Sequence, residues 1–183
     1  MRRIGVLALQ GGFAPHVARL RALGLSPVEV RARGDLAGCE GLILPGGEST
    51  TQACLLERDP ELGVALDTFV ASRPTLATCA GLILAARRGW IDATLERNGY
   101  GPQLHSAEVL ADDGRPLVLI RAPRVRRVGP GVEVLARLDG EPVLLRSGTL
   151  LGATFHPELT EDPSLFRVAF GAPATTRGDP RWG

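Results

Sequence analysis

The sequence predicts an α/β protein built on a doubly wound, mostly parallel sheet, and two patterns carry that expectation. In the first half, short apolar runs of strand length alternate with helically spaced segments, and the runs end at turns rich in glycine and proline. In the second half, short strands separated by Gly, Pro and Asp follow one another, which predicts antiparallel additions and hence a mixed sheet. A length of 183 residues suits one core and is too short for two full catalytic domains.

Arg3 to Leu9 is an apolar run ending at Gln10-Gly11-Gly12, so it reads as a buried strand and a turn. Phe13, Val17, Leu20 and Gly24 then recur at helical spacing. Val28 to Val30 is a brief second strand, and Gly41 to Leu44 a third, closed by Pro45-Gly46-Gly47. Helices are expected over Thr51 to Glu57 and Glu61 to Ala71, before Pro74 to Thr78 forms a strand running into Cys79. The later strands fall at Leu117 to Arg121, Val132 to Leu138, Val143 to Arg146 and Leu150 to Phe155, with a closing helix at Pro163 to Phe170. Residues 1–171 are expected to form one domain. Residues 172–183, rich in Gly, Pro, Thr and Arg, read as a flexible tail.

Composition excludes several chemistries. All 21 basic residues are arginine, so neither a lysine Schiff base nor a phosphate-loop lysine is available. A formal net charge of +1 offers no electrostatic case for nucleic acid or anionic lipid. No stretch has the length and apolarity of a membrane span, and the N-terminus lacks signal-peptide features. Three cysteines, an odd number, argue against a disulfide framework and for the reducing cytoplasm.

Cys79 follows an apolar strand and has small neighbours, Ala77 before it and Ala80-Gly81 after it, ahead of a helical stretch from Leu82 to Ala86. A nucleophile at a tight strand-to-helix turn needs such neighbours because the backbones crowd there, and the helix N-terminus favours a thiolate. Taken alone, a cysteine at a strand end is more often a small hydrophobe. Cys39 and Cys54 lack this context and read as structural. His156-Pro157-Glu158 ends another strand; an extended backbone before proline would project His156 and Glu158 to one side, letting the carboxylate orient the imidazole. Alone, His-x-Glu is more often a surface pair. His16, within a helix, and His105, in a polar loop, compete weakly for the base role.

The loop Leu44 to Thr50 follows a strand, and its glycines would let backbone N–H groups approach a carbonyl oxygen. It suits an oxyanion hole built from the Gly47 region, with the Ala80 N–H as second donor. The alternative is a plain turn in which Ser49 or Thr50 caps the following helix.

The strings LALQG (7 to 11), LPGGEST (44 to 50), TCAGLIL (78 to 84), ERN (96 to 98), IRAP (120 to 123) and FHPELTED (155 to 162) together resemble the glutaminase subunit of pyridoxal 5'-phosphate synthase, a class I glutamine amidotransferase. The resemblance runs from about Ile4 to Phe170. It implies a flavodoxin-like sheet of the class I amidotransferase architecture and hydrolysis of L-glutamine to glutamate and ammonia, with no cofactor or metal. It implies Cys79 as nucleophile, with His156 and Glu158 completing a triad, and places glutamine binding on Gly47, Glu48, Ser49, Arg97, Ile120 and Arg121. Each arginine, read without that context, would be a surface ion pair. The implied partner is a (β/α)8-barrel synthase subunit that receives the ammonia in a hetero-oligomeric complex, and in that family the glutaminase is weak until docked.

Three departures stand out: Ala77 where the family commonly has Gly, Pro102 where relatives usually have Arg before Gln, and a shortened stretch between Ala86 and Leu95. The rivals are a glutaminase subunit serving another synthase, a catalytically silent regulatory subunit of the same fold, and a stress-related protein of the broader flavodoxin-like cysteine superfamily. The last would not explain ERN and IRAP.

Overall fold

The computed structural model describes residues 1–100 and 106–171. Its centre is a seven-stranded sheet in the order β2-β1-β3-β4-β11-β10-β9. Here β1 is Arg3–Leu7, β2 Ser26–Val30, β3 Gly41–Leu44, β4 Thr75–Thr78, β9 Glu133–Leu138, β10 Glu141–Ser147 and β11 Leu150–Ala153. The pairs β1/β2, β1/β3, β3/β4 and β4/β11 are parallel, whereas β10 runs antiparallel to both β11 and β9. The expected mixed sheet is therefore present.

Alternation along the central strands sorts their side chains between two cores. Ile4 and Val6 of β1, Ile43 of β3 and Leu76 of β4 face a cluster containing Val17 and Leu20 of α1 (Phe13–Ala22) and Phe166 and Phe170 of α5 (Ser164–Phe170). Leu42, Leu44 and Ala77 face the other way. There they meet Leu56 of α2 (Ser49–Arg58), Leu62 and Leu66 of α3 (Pro60–Ser72), and Leu82 and Ala85 of α4 (Ala80–Arg87).

Two antiparallel ribbons stand beside the main sheet: β5 (Ala93–Glu96) with β8 (Arg124–Val128), and β6 (Ser106–Leu110) with β7 (Pro116–Ile120). Of these four strands the sequence analysis identified only β7. Their half-exposed alternation leaves little apolar signal, and β8 reads Arg-Val-Arg-Arg-Val. Cross-strand and neighbouring ion pairs, Arg126 with Glu96, Arg127 with Asp92 and Arg124 with Glu141, neutralise that run.

Strand and helix ends shift slightly from expectation: β1 stops at Leu7 and β11 at Ala153. The shortened connection is only Arg88 to Asp92, between α4 and β5. It is anchored at Asp67 of α3, whose Oδ1 accepts from Trp90 Nε1 at 2.8 Å and whose carboxylate pairs with Arg88. Pro102, His105 and the 172–183 tail lie outside the described residues. Among the described residues, no helix is long and apolar enough to cross a membrane.

Candidate active site

At the carboxyl end of β4, Cys79 adopts φ 48° and ψ −109°, a backbone conformation that costs a non-glycine residue about 1–3 kcal/mol. It persists because the surroundings leave no alternative. The Cys79 N–H donates to the Ala153 carbonyl at 2.8 Å, fixing the strand side of the turn. On the helix side, α4 starts at once and passes so close to β3 that a Cβ at Gly81 would lie 2.0 Å from the Leu44 carbonyl oxygen. Of the small neighbours that suggested an elbow, Gly81 is thus required by backbone proximity, and Ala77 fits fully buried.

His156 is brought to Cys79 by the chain leaving β11, with its N–H donating to the Val118 carbonyl at 2.9 Å. Its ring and the Cys79 side chain are neighbours: a single point, where a Cβ on Gly46 would sit, lies 2.7 Å from His156 Cε1 and 3.5 Å from Cys79 Cβ. On the other side, His156 Nδ1 lies 2.7 Å from Glu158 Oε1. The expected extended His-x-Glu geometry needs correction: Pro157–Leu159 is a 3-10 turn, and it is this turn that folds the carboxylate back onto the ring. Gly46 provides the space for the ring, since a Cβ there would lie 2.7 Å from His156 Cε1.

The electrostatics follow from burial and pairing. Burial alone would lower the His156 pKa, but hydrogen bonds to Cys79 and Glu158, with their charges, outweigh it and push it up to about 10. Burial also opposes ionisation of Glu158; His156 and His16 overcome it and hold the carboxyl below its ordinary range.

A cleft of about 360 Å³ opens over the sulfur. Every site residue singled out from sequence lines it: Gly47, Glu48 and Ser49 from the β3–α2 turn, Cys79 and Ala80 from the elbow, Arg97 after β5, Ile120 and Arg121 at the end of β7, and His156 with Glu158. Cys79 Sγ is 3.9 Å from the Ile120 carbonyl oxygen. Glu48 pairs with Arg121 at 3.2 Å and Arg97 at 3.7 Å, and Arg97 also donates to Thr50 Oγ1 at 2.8 Å. The ion-pair reading of these arginines and the cleft reading are therefore both satisfied. The capping alternative is not, because Glu48 occupies the N-cap of α2, and Ser49 is its buried first residue.

Sequence reasoning also passed over Gly12, Asn98 and Leu159, which line the cleft, and undervalued His16. His16 is fully buried, with Nε2 3.4 Å from Glu158 Oε1 and 3.3 Å from Thr78 Oγ1. A signal existed: Phe13, His16, Val17 and Leu20 share one helical face, which puts this histidine inward. Cys39 is buried, as befits a structural residue, whereas Cys54 is exposed.

A cysteine on a strained elbow, with an imidazole and a carboxylate beside it at the carboxyl ends of a doubly wound sheet, fits the class I glutamine amidotransferase architecture. A solved structure described as a glutamine amidotransferase superposes with TM-score 0.86 at 43% identity, over 92% of this chain and 97% of that one. A putative GMP synthase protein from Thermoplasma acidophilum shares the fold, with TM-score 0.72 at 18% identity over 94% of each chain. Residues 6–171 match the model of the SNO glutamine amidotransferase family, and the chain belongs to that family. Among curated relatives, the pyridoxal 5'-phosphate synthase subunit PdxT of Thermus thermophilus is 47% identical over 179 residues, covering 90% of this chain and 94% of its own. The subunit of the same name from Koribacter versatilis is 46% identical over 175 residues, covering 87% and 90%. The chain is a glutaminase, a hydrolase that frees ammonia from glutamine.

Proposed function

We propose that this glutaminase works through Cys79, His156 and Glu158 and delivers its ammonia to a pyridoxal 5'-phosphate synthase subunit. The observation that carries the triad is that Cys79 and His156 stand side by side around Gly46 and His156 Nδ1 lies 2.7 Å from Glu158, all three lining a cleft that offers charged groups at its rim.

Cys79, as thiolate, attacks the carboxamide carbon of glutamine, and the oxyanion accepts hydrogen bonds from the Gly47 and Ala80 N–H groups. Protonated His156 gives its proton to the departing ammonia, leaving a glutamyl thioester. The ring then takes a proton from water as that water attacks the thioester, and glutamate leaves. Glu158 holds the ring in orientation and stabilises its cationic form. At the far end of the substrate, Glu48 between Arg97 and Arg121 presents one negative and two positive groups, which suits an α-ammonium and an α-carboxylate. Gly47, Ser49 and Ile120 line the path between the two ends.

The choice of synthase rests on the relatives' shared name and on the motif set LPGGEST, ERN and IRAP. With no lysine in the chain, imine chemistry belongs to the synthase partner, a (β/α)8 barrel, in a hetero-oligomeric complex. Free cysteines suit the cytoplasm, and the near-neutral charge suits neither a nucleic-acid nor a membrane partner. One glutaminase domain spans residues 1–171. The test is glutamate and pyridoxal phosphate measured together, with and without the synthase subunit. Cys79→Ala and His156→Asn should keep synthase binding and lose glutamate release, and parental turnover in either variant would refute its assignment.

A further inference from the structure

Two imidazoles meet one carboxylate oxygen. Glu158 Oε1 lies 2.7 Å from His156 Nδ1 and 3.4 Å from His16 Nε2, while Oε2 is buried without a hydrogen-bond partner among the described residues. Apart from its own backbone N–H, the two rings are what the structure offers to hold this carboxylate. Mechanism uses one of them and leaves the other, fully buried on α1, without a role.

The His16 ring is fixed from several sides. Its Nε2 edge also faces Thr78 Oγ1 at 3.3 Å, the residue immediately before the nucleophile, and Phe166 lies tilted against it with centroids 6.0 Å apart. One turn further along α1, Arg19 donates to the Thr160 carbonyl, tying the helix to the turn that carries Glu158. The tautomer follows from the neighbours. With the proton on Nε2, the ring presents a positive edge to an anionic oxygen and the Thr78 hydroxyl. With the proton on Nδ1, a lone pair would face the carboxylate and the buried N–H would find no acceptor, because Nδ1 has no partner.

We propose that His16 is a positioning residue for glutamine hydrolysis, its neutral Nε2–H edge steadying the Glu158 carboxylate so that this carboxylate stays in line with His156 Nδ1. The electrostatics allow this division of labour. Burial, the largest effect, lowers the His16 pKa to about 4 against the pull of Glu158, and the nearby His156 lowers it further. At neutral pH the buried ring therefore does not compete for the proton that His156 must carry. This inference rests on the triad reading above.

The experiment compares His16→Leu, which removes the donor, with His16→Gln, whose amide can keep one near the Nε2 position. Glutamate release is measured with the synthase subunit present, alongside thermal unfolding, and 15N spectra of the parent's imidazoles report the tautomer. His16→Leu should lose about 10- to 100-fold in kcat, the range for removing a hydrogen-bonding partner behind a reacting group, with KM changed less than about twofold. His16→Gln should recover most of the rate, and the parent should show the Nε2–H tautomer. Parental kcat in His16→Leu overturns the inference. So does equal loss of rate and stability in both variants, or an Nδ1–H tautomer in the parent, which decides the matter if His16→Leu does not fold. A parent that releases no glutamate refutes the triad reading instead, and the tautomer then judges this inference on its own.

Discussion

Replacing Gly81 by alanine sets two effects of opposite sign against each other, and the structure determines which wins. Gly81 is the second residue of α4, where exchanging glycine for alanine in a helix ordinarily gains up to about 1 kcal/mol. The added Cβ, however, would sit 2.0 Å from the Leu44 carbonyl oxygen, 2.6 Å from its carbon and 3.0 Å from its Cβ. Reaching van der Waals separation requires the helix to retreat by roughly 1 Å or more. The obstacle is backbone in the central sheet, which cannot swing aside as a side chain would. Overpacking of this kind costs about 1–3 kcal/mol and sometimes more, so the net expectation is a loss of up to about 2 kcal/mol. For a chain of this size that is a fall in Tm of up to about 8 °C. Because Cys79 is the N-cap of the displaced helix, kcat should fall by about 100-fold, the usual consequence of a 1 Å misplacement. Gly34→Ala is the control: a Cβ there meets nothing within 4 Å, so neither Tm nor rate should fall. A Gly81→Ala protein that melts at or above the parent temperature and keeps its rate would show that the closeness of α4 to β3 does not hold the elbow.

Gly46→Ala would push a methyl to 2.7 Å from His156 Cε1, and a ring is easier to move than backbone; kinetics should therefore show a large loss of kcat with a smaller change in Tm, and an unchanged kcat would count against the ring position. Thermal stability should peak near pH 6.5. His156, raised from 6.5 to about 10 on folding, contributes fully below 6.5, and its contribution is lost as pH rises through 10. His16, lowered to about 4, contributes above 6.5 and is lost as pH falls through 4, where Glu158, also lowered, fails in the same direction. Thermal scans from pH 4 to pH 10 check this, and a Tm still climbing from pH 7 to pH 10 contradicts the assigned His156 environment. Ala77→Gly, which restores the residue common in the family, should cost about 0.5–1 kcal/mol by adding backbone freedom to a fully buried strand, with kcat unchanged; a gain in stability would mean that the alanine methyl is crowded.

What could be read from sequence was set by how local each determinant is. Gly41 to Leu44 was read to the residue because an apolar run stops at Pro-Gly-Gly, and both signals are contiguous. The elbow was legible for a similar reason, since crowding around Cys79 restricts the identities of its immediate neighbours. The strands β5, β6 and β8 were not legible, because their stability comes from cross-strand partners rather than an apolar pattern. Arg126 looks like a solvated loop residue until Glu96 stands beside it. His16 was half legible: its inward face follows from helical spacing, but its meaning depends on Glu158, which only the fold brings near.

The division of the site between two kinds of scaffold follows from the topology. Strands β1, β3, β4 and β11 are adjacent and parallel, so the segments leaving their carboxyl ends converge: α1 with His16, the Gly46–Gly47 turn, Cys79, and His156 with Glu158. These groups rest on strands that are almost wholly buried, which suits reacting atoms whose placement must hold within a fraction of an ångström. The charged groups proposed to meet the substrate's far end include Arg97 and Arg121, which follow the half-exposed strands β5 and β7. Backbone strain is concentrated at the junction. Among the described residues, four non-glycine positions have positive φ, and three of them, Cys79, Asn98 and Arg121, line the cleft. Such conformations survive only where the surroundings over-determine them, so the ribbons are held against the sheet firmly enough to keep two strained residues in place beside the strained Cys79. Glu48 supplies part of that hold by pairing with both Arg97 and Arg121 across the cleft. The carboxylate proposed to meet a substrate ammonium thus also keeps the two guanidiniums in position.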